Sequence, residues 1–270
     1  MIRLFHSLFY RLKKDKLFYG SLLLFVAVTL FVIIFSYLKD KSINILFHQH
    51  MCYISILFPL LVSAYIGVEY ADGTIRNKIM IGTERYKIYL TYWIFLLFIG
   101  LSMYMLYYLI LCSIGIPLLG VPNVSGMTIC SWLLSQSLTI IAMISIFTFT
   151  SFICSNRLIT SIINVFIVFV LLILVVYFLH KFTIPEYIDY YQINTITQET
   201  EVIHKLNPNY PSDLERSIYK GLLYILPTSQ PFAVLIGIPL NQTILSVVLS
   251  MIAIIFTGFG IFIFSRKDLK

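Results

Sequence analysis

Charge is scarce in this chain, and it is missing altogether where it would matter most. Asp, Glu, Lys and Arg make up 11% of the 270 residues, against roughly 25% in soluble domains. None of them falls inside the apolar stretches 17–38, 51–68, 88–119, 128–154, 158–180 and 243–265. Ionisable side chains at membrane depth mark proton relays and ion-coupled transport. Their absence argues against a secondary transporter and against a hydrolase buried in the bilayer. The P-loop pattern G-x-x-x-x-G-K-[ST] is also missing, and the dipeptide Gly-Lys never occurs. A P-loop cradles phosphates with backbone N–H groups and its lysine, so this chain does not bind ATP in that manner. H-E-x-x-H is absent, and the four cysteines (Cys52, Cys112, Cys130, Cys154) show no C-x-x-C or C-x-x-H spacing. Zinc-hydrolase, metal-binding and thioredoxin-like readings fall away with them. No four Lys or Arg residues are consecutive despite a net charge of +7. The basic residues cluster beside apolar runs, which reports membrane topology rather than nucleic-acid binding.

What is abundant is apolar: 59% of residues are hydrophobic. A span needs about 20 apolar residues to cross some 30 Å of hydrocarbon. Six stretches qualify and leave little for a separate soluble domain, so the expectation is an all-α membrane protein formed by one transmembrane domain over 1–270. The third stretch is long, roughly 48 Å as a helix, and should tilt or project, with Pro117 kinking its far end. Ile2, Phe5, Leu8, Phe9 and Leu12 recur at helical spacing among Arg3, His6, Ser7 and Arg11. That pattern predicts an amphipathic helix over 1–16 lying on the membrane surface. The run that follows has no small-residue cleavage site and reads as a retained span, not a signal peptide.

Orientation follows from Lys and Arg. With the N-terminus inside, 13 of the 19 basic residues fall on the cytoplasmic side, including Arg76, Lys78, Arg85, Lys87, Arg157, Arg266 and Lys267. The expectation is a multi-pass protein of the plasma membrane with both termini cytoplasmic. Segment 181–242 then lies outside. Its first half is polar and turn-rich, with Asn207-Pro208-Asn209 as a loop signal. Its second half is apolar but broken by Pro227, Pro231 and Pro239. A seventh span there would move the Arg266-Lys267 end outside, so a re-entrant or surface helical hairpin is expected instead.

The most informative segment is 69–87, E-Y-A-D-G-T-I-R-N-K-I-M-I-G-T-E-R-Y-K, which places seven charged residues between two uncharged runs. Thr74 is positioned to cap a short helix over 75–81, and Gly82 to end it. Arg76, Lys78, Glu84 and Arg85 are expected to face the cytosol and orient a partner. Elsewhere, Asn164 is the one amide inside the fifth span. It suits a pathway, a dimer contact or a bond to a neighbouring helix. Gln136 has the same alternatives in a fourth span rich in Ser131, Ser135, Ser137, Ser145, Thr148, Ser151 and Ser155, where close packing is the commoner use. His48-Gln49-His50 offers two metal-ligand side chains on the outer side, but two histidines in a loop more commonly sit solvated, and that is the expectation here. No residue set reads as catalytic or metal-binding.

The string carried by Glu69, Tyr70, Gly73, Thr74, Arg76, Asn77, Lys78, Gly82, Arg85, Ile88 and Tyr89 resembles the permease subunits of type-2 ATP-binding-cassette exporters. The basic amphipathic start, six spans and outer hairpin fit that pattern along nearly the whole chain. The resemblance implies a half-transporter without enzymatic activity of its own. Two permease subunits, alike or related, would pair in the bilayer, and each would dock a cytosolic ATPase that holds the ATP and Mg²⁺. Segment 74–82 would be the coupling helix, completed by Glu69, Gly73, Thr74, Arg76, Asn77, Lys78, Gly82, Glu84 and Arg85. The second and fifth spans would line an alternating-access path, and the first and fifth would meet across the dimer. An uncharged, aromatic-rich interior suits an amphipathic or hydrophobic cargo, with antimicrobial-peptide export or self-immunity as the first candidate. The alternative is a membrane anchor or sensor that recruits a cytosolic partner and moves nothing.

Overall fold

The computed structural model describes residues 1–39, 41–154, 156–193, 200–238 and 240–268. Among them are six helices long and apolar enough to cross a membrane, the makeup of a multi-pass membrane protein. Helix α1 (Ile2–Leu12) leads through a tight turn into α2 (Lys16–Leu38), whose N-cap Asp15 accepts a hydrogen bond from the Leu17 N–H. Helix α3 (Ile43–Ala71) is followed by the short α4 (Thr74–Met80). Helix α5 (Arg85–Ile110) runs through a π-helical turn, Leu111–Gly115, into α6 (Ile116–Leu119). Pro117 offers no N–H to the turn before it, and the widened turn accommodates its ring. Together these pieces form one stretch of 35 residues. Helices α7 (Gly126–Ile153) and α8 (Arg157–Thr183) follow, and α11 (Gln242–Arg266) closes the chain.

Two features depart from the expectations. Helix α3 starts at Ile43, capped by Ser42, so it reaches back well before residue 51. It therefore includes His48 and His50, which are buried and not loop residues. His50 stacks on Tyr107 with ring centroids 4.1 Å apart, while Gln136 approaches His48 Nδ1 at 2.9 Å. Polar letters in a row suggested a loop, but aromatic and amide partners on α5 and α7 make that turn of helix a buried one. The second departure is a strand pair. β1 (Tyr187–Ile193) and β2 (Thr200–Leu206) form an antiparallel hairpin, in register from Tyr187↔Leu206 to Ile193↔Thr200. The fold is thus predominantly, but not wholly, helical. Asn207 seals the open end of the hairpin: its N–H donates to Glu186 O and its side-chain amide to Pro185 O.

Helices α9 (Asp213–Ile225) and α10 (Ser229–Ile236) lie between the hairpin and α11. A reciprocal capping box between Ser212 and Glu215 starts α9, and Pro227 sits in the turn between the two helices. Pro231 falls in the first turn of α10, where its missing N–H leaves no intrahelical bond unmade. Pro239 and Ser155 lie outside the described residues.

Helices α3, α5 and α7 form the inner layer, closed by Phe58, Phe95, Tyr107 and Phe147. Helices α2, α8 and α11 pack outside them and leave apolar residues such as Leu23, Phe31, Phe166, Ile173 and Ile254 exposed. In hydrocarbon such faces need no polar cover. The serines of α7 tie it to three neighbouring helices. Ser135 accepts from Gln230 Nε2 of α10 at 2.7 Å, and Ser145 from Trp93 Nε1 of α5 at 2.9 Å. Ser151 accepts from Asn164 Nδ2 of α8 at 3.1 Å.

Candidate functional site: the α4 elbow

The helix between the second and third long spans is fixed at both ends by glycines in the left-handed region. Gly73 has φ 66° and Gly82 has φ 89°, values that side-chain-bearing residues adopt only with strain. Gly73 is the N-cap, so Thr74 is the first residue inside α4 and not its cap. The Thr74 hydroxyl turns back instead onto Glu69, within 3.0 Å of its backbone oxygen and in contact with Oε2. At the other end, the Gly82 N–H bonds Ile79 O at 2.9 Å and the Thr83 N–H bonds Lys78 O at 3.0 Å. That pair of bonds is a Schellman motif, which satisfies the carbonyls a helix end leaves free.

Glu69 is the centre of the elbow. Its side chain is only 4% exposed, yet it meets two cations: Arg11 Nη1 at 2.7 Å and Lys78 Nζ at 2.8 Å. Lys78 also donates to the Tyr92 hydroxyl at 2.5 Å and lies over that ring. One buried carboxylate thus joins α1, α3, α4 and α5. A buried carboxylate is tolerated only when it is paired and hydrogen-bonded, and here every partner comes from a different element or from the α4 turn itself. Ile75, 1% exposed, anchors the underside of α4.

The expected outward set divides in two. Arg76 and Glu84 are exposed, and so is Asn77 beside them. Lys78 turns inward to Glu69. Arg85 also turns inward: its guanidinium donates to the backbone oxygens of Phe264, Ser265 and Lys267, completing the C-terminal end of α11, where a cation is favoured by the helix dipole. Lys267 does the same for α7, donating to Phe152 O at 2.9 Å and Ile153 O at 2.7 Å, and burial holds its ammonium below the usual lysine pKa. Sequence reading took the charged residues as the interaction surface and missed the apolar ones. Met80 is 68% exposed and Ile81 84% exposed, beside Arg76 and Asn77 on the outer side of α4. Three consecutive apolar residues, Ile79-Met80-Ile81, just before a helix-ending glycine were the available signal, since one helix face cannot bury all three. Exposed Glu84 pairs with Lys87 at 2.7 Å, and that bond holds its carboxyl below the ordinary glutamate value.

Asn164 and Gln136 lie elsewhere. Asn164 is fully buried, accepts from the Thr150 hydroxyl and donates to Ser151, so within this chain its amide ties α8 to α7. Gln136 accepts from the Tyr108 hydroxyl at 2.5 Å and donates to Phe47 O at 2.9 Å. Neither is near the elbow, and both amides are engaged with neighbouring helices. Among the described residues no group of three or more His, Cys, Asp or Glu side chains could hold a metal ion.

Comparison with protein-family models finds no match to this chain, and comparison with curated proteins finds none.

Proposed function

We propose that this chain is the membrane-spanning permease subunit of an ATP-driven exporter of the type-2 ATP-binding-cassette kind, and that α4 is where a separate cytosolic ATPase docks. The observation that carries the reading is the α4 elbow. A short helix with an exposed Arg76–Asn77–Met80–Ile81 face is fixed to three other helices through a buried Glu69. A helix used only as a loop between spans needs neither the apolar face nor the rigid mount. Exposed apolar residues rimmed by polar ones are the usual composition of a docking patch. The chain has no phosphate loop of its own, so the energy for transport enters through the partner.

In this reading the elbow end is cytosolic and α1 lies along the membrane surface, with both termini on that side. Helices α9 and α10 form a re-entrant hairpin from the outer side. Two permease chains pair in the plasma membrane through the exposed faces of their outer helices. ATP-driven closure of the ATPases moves α4, and the Glu69 clamp passes that motion to α1, α3 and α5 together. The cargo is amphipathic or hydrophobic, with an antimicrobial peptide as the first candidate, because no charged side chain lines the interior of any span.

The test is co-purification with a co-expressed cassette ATPase after Met80→Asp/Ile81→Asp, with Arg216→Glu at the opposite end as the control. The reading expects the α4 variant to insert normally and lose the ATPase, while the control retains it. Undiminished co-purification of the α4 variant would rule out this docking site.

A further inference from the structure

The elbow end carries a second charged feature that the docking face does not use. A cavity of about 480 Å³ opens between α1, α2, α3 and the first turn of α8, lined by Tyr10, Arg11, Lys14, Asp15, Tyr65 and Arg157 among others. Three of these are cations and one is an anion, and the anion is engaged: Asp15 Oδ1 accepts from the Leu17 N–H at 2.9 Å. Arg11 is paired with Glu69. Lys14 and Arg157 have no carboxylate partner among the described residues. The Tyr65 hydroxyl is shut off from solvent and faces the Asp15 carboxylate. Arg157 is also the first residue of a 27-residue helix, whose N-terminal dipole adds to the positive field. Its seat is built for it, since a Cβ on Gly67 would come within 2.7 Å of Arg157 Cγ. Two cations without a carboxylate partner, against the single carboxylate of Asp15, leave the cavity short of an anion.

The surroundings narrow the choice of anion. At four-residue spacing from Arg157, Ser161, Val165 and Phe169 continue down the same side of α8. With Ile162 and Phe166 they line an open apolar groove. On the α2 side, Leu17 at the cavity is itself exposed. Free phosphate would answer the charges and leave the groove unused. A phosphate carrying acyl chains answers both, and Arg engages phosphate oxygens in a paired fork while Lys serves as a point charge.

We propose that this cavity holds the headgroup phosphate of an anionic glycerophospholipid from the leaflet at the α1 end, with one acyl chain laid along the α8 groove. The lipid would bridge α1, α2 and α8 beside the Glu69 clamp. The inference requires only that the chain sits in a bilayer; it does not depend on an ATPase partner.

Native mass spectrometry of the full chain in detergent tests it, with phosphatidylglycerol, phosphatidylcholine and inorganic phosphate titrated separately. Phosphatidylglycerol is expected to bind in preference to phosphatidylcholine. Loss of each cation should weaken that binding about fivefold, and Lys14→Gln/Arg157→Gln together about 25-fold, with phosphatidylcholine unaffected. Both side chains are exposed at the cavity mouth. Lys14→Gln alone, on the α1–α2 turn, is the safeguard against a misfolded double variant and should still show its fivefold loss. Equal binding of the two lipids, or unchanged phosphatidylglycerol affinity in Lys14→Gln, would overturn the proposal. Inorganic phosphate binding as tightly as phosphatidylglycerol would overturn the lipid assignment and leave a free-anion site.

Discussion

Glu69→Gln is the substitution with the most to say about the elbow, because a single carboxylate answers both Arg11 and Lys78. The two partners differ in how far they depend on it. The Arg11 side chain is 44% exposed and has Asp72 at 3.6 Å as a second partner, so its share is that of a surface pair, at most about 1 kcal/mol. The Lys78 side chain is 20% exposed, and without Glu69 it keeps only the Tyr92 hydroxyl and ring. A hydrogen bond to a charged group contributes about 1.5–3 kcal/mol, and a partner left stranded adds to the loss. The sum is about 3 kcal/mol. It falls on a seven-residue helix that is too short to persist without tertiary contacts. The effect should therefore be local opening of α4 and not global unfolding. Amide exchange reads it directly at Asn77, Ile81, Gly82 and Thr83, whose N–H groups bond to Gly73, Asn77, Ile79 and Lys78. At about 1.4 kcal/mol per decade, exchange there should quicken about 100-fold, with the α5 core unchanged. Adding Lys78→Met removes the stranded charge and should recover most of the protection. Unchanged exchange in Glu69→Gln, or a double variant no better than the single, would refute the clamp.

Three further outcomes are expected. Gly82→Ala places a Cβ at φ 89° and should cost about 1–2 kcal/mol, seen as faster exchange confined to the last turn of α4. A Cβ at Gly260 would overlap the Tyr89 phenol, so Gly260→Ala should lower stability by about 1–3 kcal/mol through overpacking of α5 on α11; Tyr89→Leu should restore the thermal midpoint. The Glu215 carboxylate accepts from the Ser212 N–H at 2.8 Å and from the Ser212 hydroxyl at 3.0 Å, and the two bonds hold it below the ordinary glutamate value of 4.5. The stabilisation of α9 it brings is therefore present above the unfolded-state value and is lost as pH falls through the lowered folded one. A carboxyl-labelled NMR titration should show the depressed midpoint, and Ser212→Ala should raise it.

Long uninterrupted apolar runs announced the six long helices, because no charge or backbone break competes with helix formation over 20 residues or more. What was hidden depended on neighbours. His48 and His50 look polar in a string, and only the tyrosines of α5 and Gln136 of α7 make them interior. The β-hairpin was legible in principle, since Y-I-D-Y-Y-Q-I and T-E-V-I-H-K-L are rich in β-branched and aromatic residues; the nearby Asn-Pro-Asn drew the whole segment toward loop. At the elbow, the position of α4 and its closing glycine followed from local turn chemistry. The inward turn of Lys78 and Arg85 did not, because each answers a group on another helix: Glu69 at the end of α3 and the backbone at the end of α11. Charge in a loop looked like surface, and half of it turned out to be structural.

Under the proposed function, α4 passes the work of a partner ATPase into the bundle through Glu69. The most direct measurement is ATP turnover by this chain and a cassette ATPase co-reconstituted in liposomes, comparing wild type, Glu69→Gln and Glu69→Gln/Lys78→Met, with bound ATPase quantified in each. Glu69→Gln is expected to retain ATPase through Met80 and Ile81 but to lose cargo-stimulated turnover, and the double variant, with α4 packed again but no ionic tie to α1, to recover only part. Full cargo stimulation in Glu69→Gln at wild-type ATPase occupancy would contradict it.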